Sequence, residues 1–497
     1  MKFSAAIICV ITLTFSATYA QKITISGYVK DAASKEALIG ASVLNVNSRT
    51  GTTTNQYGFF SVTIPVADTI ELLISFMGYS IQAKKITTKQ NLRFDIFMEL
   101  AATNLGEVTV SAERNDRNVQ KPQMGVIDVP LGTIKSLPVL FGERDVMKVI
   151  QLLPGVQGGN EGTTGFYVRG GNLDQNLVQL DEATIYNPNH LFGLFSTFNV
   201  NALNNVKLIK GGFPAEFGGR LSSILDVTMK EGNKTKYQVE GGIGLLSANL
   251  TVQGPIQKNK SSFIVSGRIG TINYLMRAFP DLKKSTTYKF YDLNAKVNFE
   301  LSKKDHVFLS NFKGNDDASY INVNSLNYTT TFGNSTGTFR WNHLFGSKIF
   351  SNTSIIYDDY NLALSTSQNN YYSLLYTAVQ DVTAKTDLTI APGSKHNIKA
   401  GFIFTRHRLS PASFSSQIPG NGSHLSIHKD SIDKLYSNEM ALYAGDEFEP
   451  SKKISVNYGL RFPLFTAYGK TYFFIEPRFT GKFSINNVSS IKASTQE

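Results

Sequence analysis

Tyr291-Asp292-Leu293-Asn294-Ala295-Lys296-Val297-Asn298-Phe299-Glu300-Leu301 alternates without a break between apolar and polar side chains. Successive side chains of a strand point to opposite faces, so this stretch has one apolar face and one face carrying Asp292, Asn294, Lys296, Asn298 and Glu300. The same split recurs at Ile454, Val456, Tyr458, Leu460 and Phe462 against Ser455, Asn457, Gly459 and Arg461. It returns with Phe479, Phe483 and Ile485 against Glu476, Arg478, Thr480, Lys482 and Ser484. A soluble sandwich shows such alternation too, so turn spacing has to separate the two. Short polar turns fall near Lys258, Lys303, Ser347, Pro392, Ser451 and Asn486, the first four at nearly even spacing. Between them lie Asn- and Ser-rich excursions, notably 271–289, 315–333 and 411–433. Short turns at one end and long loops at the other characterise a membrane-spanning antiparallel barrel. Strands on either side of six short turns make twelve.

Composition agrees. The 497 residues include 40 glycines, 34 phenylalanines and 22 tyrosines against one tryptophan, which favours strands and turns. A hydrophobic fraction of 41% excludes a helical multispanning protein, which needs repeated apolar runs of about 20 residues. The only apolar run, around Ala5 to Phe15, follows Lys2 and ends in Thr18-Tyr19-Ala20, so residues 1–20 read as a cleavable export signal. Residue 21 is Gln, which offers no thiol for a lipid anchor, and the sole cysteine, Cys9, lies inside the signal. The net charge of +11 is scattered in pairs such as Lys84-Lys85, a solvated basic surface rather than a nucleic-acid stripe.

The mature chain divides into four segments. Residues 22–100 alternate in short strands punctuated by Gly51, Gly58, Pro65 and Gly78, which predicts a small β-sandwich. Its stretches Ile25-Ser26-Gly27-Tyr28-Val29-Lys30-Asp31, Leu38-Ile39-Gly40-Ala41, Gly51 to Phe60 and Ser75-Phe76-Met77-Gly78-Tyr79 resemble the carboxypeptidase-regulatory-like domain, which is itself not catalytic. Leu105-Gly106-Glu107-Val108-Thr109-Val110-Ser111-Ala112 follows, a strand-competent octapeptide beside a polar run, suited to pair with another protein's sheet edge. It resembles a TonB box.

Residues 126–232 read as a mixed globular domain. Val146, Val149, Ile150 and Leu153 share one helical face that Pro154-Gly155 ends. Phe166 to Gly171 and Leu177 to Asp181 read as adjacent strands. The pair Arg169-Gly170, the strand closed by Asp181, the turn Lys210-Gly211-Gly212, then Gly218-Gly219-Arg220 and the strand ending at Lys230 resemble the plug domain of TonB-dependent receptors. Glu182 stands where that family usually has glycine, and Gly212-Phe213-Pro214 where Gly-Pro is usual. The glycine clusters are not a phosphate loop: Gly469-Lys470-Thr471 has Leu464 where the first glycine is required.

Residues 237–497 form the barrel segment. Twelve strands make a narrow barrel for a plug of this size, since plugged lumens accompany about 22 strands. The chain also stops at Glu497 without a terminal aromatic. The expectation is therefore a mostly β protein: a periplasmic β-sandwich, a mixed α+β plug domain and about half of a large antiparallel transmembrane β-barrel.

The resemblance implies an energy-coupled receptor of the Bacteroidetes type in the outer membrane. It would import an iron chelate, cobalamin, an oligosaccharide or a peptide. Its partners would be a TonB-type inner-membrane protein gripping residues 105–112, outer-membrane lipids, and in some cases a surface lipoprotein. The sandwich and octapeptide would face the periplasm, the excursions at 315–333 and 411–433 the exterior. No cofactor, nucleic acid or enzyme chemistry is implied: the histidines do not pair as metal ligands at helical spacing, and His424 and His428 sit in a Ser- and Gly-rich loop. Two other classes compete, an adhesin or structural barrel without transport and a regulated peptidase. For plug retention, the alternation nominates Arg169 or Arg220 against the lumen carboxylates Asp292, Glu300 and Glu476. The competing role for both arginines is to satisfy plug carbonyls.

Overall fold

The computed structural model describes residues 21–101, 123–136, 143–159, 164–277, 285–321, 326–368, 371–417, 434–451, 453–486 and 489–496. The N-terminal unit is a two-sheet sandwich. One sheet joins β1 (Lys22–Asp31) to β4 (Phe59–Pro65), β7 (Leu92–Arg93) and β8 (Ile96–Met98). The other runs β3 (Thr50–Thr53), β2 (Ser42–Asn45), β5 (Ile70–Ser75) and β6 (Gln82–Ile86). Its core is conventional, with Ile25, Val43, Ile64, Ile70, Leu72 and Ile74 completely buried between the sheets.

The plug is built on a five-stranded sheet. Its order is β13 (Ala183–Thr184), β12 (Asn176–Leu180), β17 (Ser223–Met229), β16 (Leu203–Ile209) and β9 (Val126–Val129). Helix α1 (Leu131–Ser136) and helix α2 (Val146–Gln151) pack on it, burying Ile134, Val146, Met147, Val149 and Ile150. Asp145 caps α2, its carboxylate accepting from the amides of Met147 and Lys148. One expectation fails here. Strand β11 (Phe166–Val168) pairs antiparallel with β10 (Val156–Gly158), not with β12, which lies parallel to β17 instead. The 3-10 turn over Leu173–Gln175 separates the two strands and redirects the chain. A two-residue ladder, β14 (Asn189–His190) with β15 (Phe195–Ser196), projects from the plug.

The remaining strands form one antiparallel sheet in chain order. They are β18 (Gln238–Ile243), β19 (Ser247–Gln257), β20 (Ser261–Gly270), β21 (Thr286–Glu300), β22 (Asp305–Ile321), β23 (Asn327–Leu344) and β24 (Ile349–Gln368). After them come β25 (Tyr371–Ile390), β26 (His396–Gln417), β27 (Leu435–Phe448), β28 (Ile454–Ala467), β29 (Lys470–Phe473), β30 (Glu476–Ser484) and β31 (Ser490–Gln496). Strands β29 and β30 both pair with β28, one above the other, so the path across the sheet has thirteen positions. The twelve strands expected from the short turns are present, and β18 is the addition.

Burial along this sheet is inverted relative to a soluble fold. Asp292, Asn294, Lys296 and Asn298 are each 2% exposed, whereas Tyr291 is 39%, Leu293 42% and Phe299 39% exposed. Arg461, Arg478, Thr480 and Lys482 are likewise buried while Leu460, Phe479 and Phe483 face outward. An apolar outer face around a polar lumen is the pattern of a membrane barrel. The excursion expected at 315–333 is instead largely strand: β22 and β23 continue their ladder up to Ile321↔Asn327. Polar residues such as Thr329, Thr330 and Thr331 keep good β geometry beyond the apolar band, so loss of hydrophobicity there did not mean loss of strand.

The sandwich sits at the short-turn end. Tyr28, Tyr57 and Phe59 pack with Leu344 and Phe350, which flank the turn between β23 and β24.

Candidate functional site

The plug fills the concave face of the sheet through apolar and polar contacts together: Phe195 packs with Leu246, Tyr288 and Phe290 of the barrel segment, Phe312 of β22 joins the plug core, and buried ion pairs lie beside them. His190 lies completely buried, Nδ1 2.5 Å from Asp316 Oδ2 and Nε2 2.7 Å from Asp292 Oδ1. Gly314, the cross-strand partner of Asp292, leaves the room: a Cβ there would come within 2.9 Å of both Asp292 and Phe312. Burial opposes the imidazolium, but the two carboxylates outweigh it and raise the His190 pKa above its ordinary value. Asp292 is also held by Arg268, 2.6 Å away, which donates to the Ser196 carbonyl and approaches Glu143 of the plug at 3.4 Å.

A second anchor centres on Asp181 and Glu182. Asp181 meets Lys296 at 2.8 Å, both 2% exposed on their side chains, while its other oxygen accepts from the Met229 amide. Glu182 is 2.9 Å from Arg340 Nε and 3.2 Å from Lys385 Nζ. Tyr57 of the sandwich donates to the same carboxylate at 2.7 Å. Burial works against the Glu182 anion, yet Lys385 and Arg340 bring its pKa down to about 2. Glu182 has φ 75°, the left-handed backbone that favours glycine. Glu182 therefore accepts backbone strain and carries the charge joining all three domains. Further along, Glu216 reaches Lys399 at 2.5 Å, and the Tyr186 hydroxyl donates to Asp381.

The nominated latch is placed differently. Among the described residues neither Arg169 nor Arg220 forms an ion pair with Asp292, Glu300 or Glu476. The guanidinium of Arg169 overlies Gly211, where a Cβ would meet its Nη1 at 2.8 Å, and Arg220 donates to the Gly219 carbonyl. Both serve the plug's own turns. Asp292 does hold the plug, through His190. Glu300 faces the sandwich instead, 3.7 Å from Lys30. Glu476 pairs with Arg478 at 2.5 Å and lies 4.0 Å from Arg461, whose guanidinium donates to the carbonyls of Ala215 and Glu216. Gly218 leaves room for that side chain, since a Cβ would come within 2.4 Å of Arg461 Nε. Lys210 is buried and donates to the Pro154 carbonyl, Gly211 and Gly212 carry the positive φ of their turn, and Gly170 turns the chain after Arg169. Residues 105–110, the expected coupling segment, lie outside the described residues.

His190, Glu182, Arg268, Arg340 and Lys385 were not nominated. The one available signal was Glu182 in a glycine's place. The others become visible only when the sheet's inward face is matched against plug residues far away in the chain.

A polar cavity of about 380 Å³ runs between plug and wall. Asp128, Gln179, Lys207 and Asp226 of the plug sheet face Asn352, Asp381, Lys385, Lys399 and His407 across it. Among the described residues no group of three or more His, Cys, Asp and Glu side chains is disposed to hold a metal ion.

This geometry defines a class: a polar-lined β-barrel wall with a separate globular domain seated in its lumen. Residues 25–110 match the family model of the CarboxypepD_reg-like domain, and residues 139–223 that of the TonB-dependent Receptor Plug Domain. A mutant of the ferric enterobactin receptor PfeA from Pseudomonas aeruginosa superposes with a TM-score of 0.56 at 12% identity, over 77% of this chain and 62% of that one. The siderophore receptor PirA from Acinetobacter baumannii gives 0.56 at 14%, over 77% and 62%. The outer membrane transporter YddB from Escherichia coli gives 0.55 at 15%, over 75% and 60%. The chain thus spans less than two thirds of these proteins. It carries a CarboxypepD_reg-like domain and a TonB-dependent receptor plug domain, on the barrel fold of TonB-dependent receptors.

Proposed function

We propose that the protein is an energy-coupled importer of the outer membrane, with the sandwich in the periplasm and the long hairpins outside. The observation that carries this reading is the set of ion pairs that seat the plug beside its apolar contacts. Replacing buried ion pairs by apolar packing is often neutral or stabilising, so a seat that includes them gives up stability for partners that water solvates once they separate. The contacts of His190, Asp181 and Glu182 are buried pairs of that kind, and the pair of Glu216 with Lys399 is partly exposed. Because the outer membrane holds no ATP, work has to come from an inner-membrane partner of the TonB type pulling on residues 105–112. Strand addition suits that segment, since main-chain hydrogen bonds transmit force with little demand on side chains.

The solute is a scarce compound captured at the outer ends of the hairpins: an iron chelate, as for the siderophore receptors of similar fold, or cobalamin, an oligosaccharide or a peptide. Growth of a deletion strain on defined iron, cobalamin, glycan and peptide sources identifies which. Restoring the full-length gene without residues 105–112 then tests coupling. Import should be lost while surface binding persists; import that survives the deletion removes the coupling role. An adhesin or structural barrel would keep its function after that deletion.

A further inference from the structure

The cavity between plug and wall has a direction. Phe350, Asn352, Ile356 and Asp358 line it from β24, all on the inward face by two-residue alternation. At about 3.3 Å per residue, Phe350 to Asp358 spans about 26 Å along the strand, which at a tilt of about 40° is about 20 Å of height from the short-turn end, most of the apolar band of a membrane barrel. Its lower end is lined by the sandwich: Thr52, Thr54, Tyr57, Phe59 and Ser61 all border the space.

The sandwich is fastened across that end. Phe350 is stacked against Tyr57 and Phe59 with ring centroids 5.3 and 5.4 Å apart, and Tyr28 stacks on His306 at 4.8 Å. The Ser61 hydroxyl donates to the Ser347 carbonyl at 2.7 Å, and Arg93 donates to that of Lys303. These contacts fall on two adjacent short turns of the wall, while Tyr57 reaches past them to Glu182 of the plug.

We infer that the N-terminal sandwich is a gate on the periplasmic mouth of a polar passage between the plug and strands β24 to β26, which solute leaves only when the sandwich swings off Phe350. The inference rests on the importer reading and gives the sandwich its part in it. The aromatic contact is small and confined to one edge of the domain, and the sandwich core is complete without it. The domain can therefore swing off this edge as a unit while its other ties hold, the Ser34 carbonyl accepting from the Lys234 amide at 2.8 Å and Glu36 from the Glu231 amide at 2.7 Å. Its tie to Glu182 links release to the plug, because a shift of Glu182 removes the acceptor of Tyr57.

Accessibility of the passage tests this without any need for import. Thr383 lies on its wall. In the full-length protein, Thr383→Cys is treated with a membrane-impermeant maleimide in isolated outer membranes, where both faces are open, and in intact cells, where only the outer face is. Adding Tyr57→Ala with Phe59→Ala removes both ring contacts to Phe350 and should raise the labelling rate in isolated membranes at least about tenfold, while leaving the rate in intact cells unchanged. Phe350→Ser breaks the same contact from the barrel side with the sandwich intact and should act alike. Heat-modifiable gel migration shows that each barrel is folded. Equal rates in isolated membranes for the parent and for folded Phe350→Ser would overturn the gate. Failure of the importer reading would show separately, as absence of energy-dependent uptake by the parent protein.

Discussion

His190 of the plug is clasped by two carboxylates from neighbouring wall strands, Asp316 at 2.5 Å and Asp292 at 2.7 Å. Each ring nitrogen faces an acceptor, so the cationic imidazole satisfies the site and the neutral one leaves a carboxylate without its donor. Without the ring, Asp292 keeps Arg268, and Asp316 keeps the Tyr288 hydroxyl and the Leu191 amide, but each loses one charge-assisted hydrogen bond. His190→Ala should weaken plug seating by about 1–3 kcal/mol, read as plug proteolysis at a lower urea concentration. The pH dependence has a fixed sign. Because the seated His190 has a raised pKa, its contribution is complete below the ordinary histidine range, about pH 6.5, and is lost as pH climbs through the raised value. The plug should loosen on the alkaline side, and His190→Ala should flatten that profile.

Asp181 and Lys296 offer a cleaner partition. Lys296→Met alone leaves a buried carboxylate without its cation and should cost about 3–5 kcal/mol of seating. Asp181→Asn keeps an acceptor for the Met229 amide. The double variant Asp181→Asn with Lys296→Met should therefore recover most of the loss in the same urea titration. A double variant as weak as Lys296→Met would mean that the pair is not what the seating depends on.

Arg169 and Arg220 serve the plug's turns, whereas Arg268 spans plug and wall. In antibiotic-leakage assays, Arg169→Ala and Arg220→Ala should stay close to the parent, and Arg268→Ala should leak severalfold more. Equal leakage by Arg220→Ala and Arg268→Ala would restore the latch expected from the sequence.

The barrel was legible because its chemistry is local. Asp292 to Glu300 alternates within one strand, and the period alone separates lumen from lipid face. The sandwich was legible through its apolar strands, although β3 and β6 were not: Thr50 to Thr53 and Gln82 to Ile86 are polar edge strands with little buried surface. Partner choice in the lumen was opaque for a different reason. His190 and Asp316 are far apart in sequence, and any inward carboxylate satisfies the alternation equally well. The sequence could place Asp292, Glu300 and Glu476 on the polar face, but it could not distribute them among His190, Lys30 and Arg478. The β11 pairing was lost similarly, since a short strand between two turns carries no local mark of its neighbour.

Glu36 links the sandwich to the plug, accepting from the Glu231 amide at 2.7 Å and from Asn204 at 3.2 Å. Burial and the neighbouring Glu231 raise its pKa from the ordinary 4.5 to about 7, against the opposing influence of that amide bond, Lys230 and Lys296. The docked form therefore binds the proton more tightly than the released form. Docking should be strongest below about pH 4.5, weaken as pH rises to about 7, and change little from this group above that. Relative to a fully exposed cysteine labelled in parallel, which removes the pH dependence of thiolate formation, Glu36→Gln should make maleimide access to Thr383→Cys independent of pH across this window. A steep profile that persists in Glu36→Gln would assign the dependence to another group.

If the protein works as proposed, solute crosses only when the plug leaves its seat in the wall. Asn199 of the plug donates to the Ser266 hydroxyl of β20 at 2.8 Å, so Asn199→Cys with Ser266→Cys places two thiols across that boundary. Cys9 is the one cysteine in this sequence. Uptake of the solute that the deletion strain fails to import should be measured with this variant oxidised and then reduced. Surface binding should be normal in both states, import absent when oxidised, and import restored by reductant. Undiminished import through the oxidised, cross-linked protein would contradict the proposal.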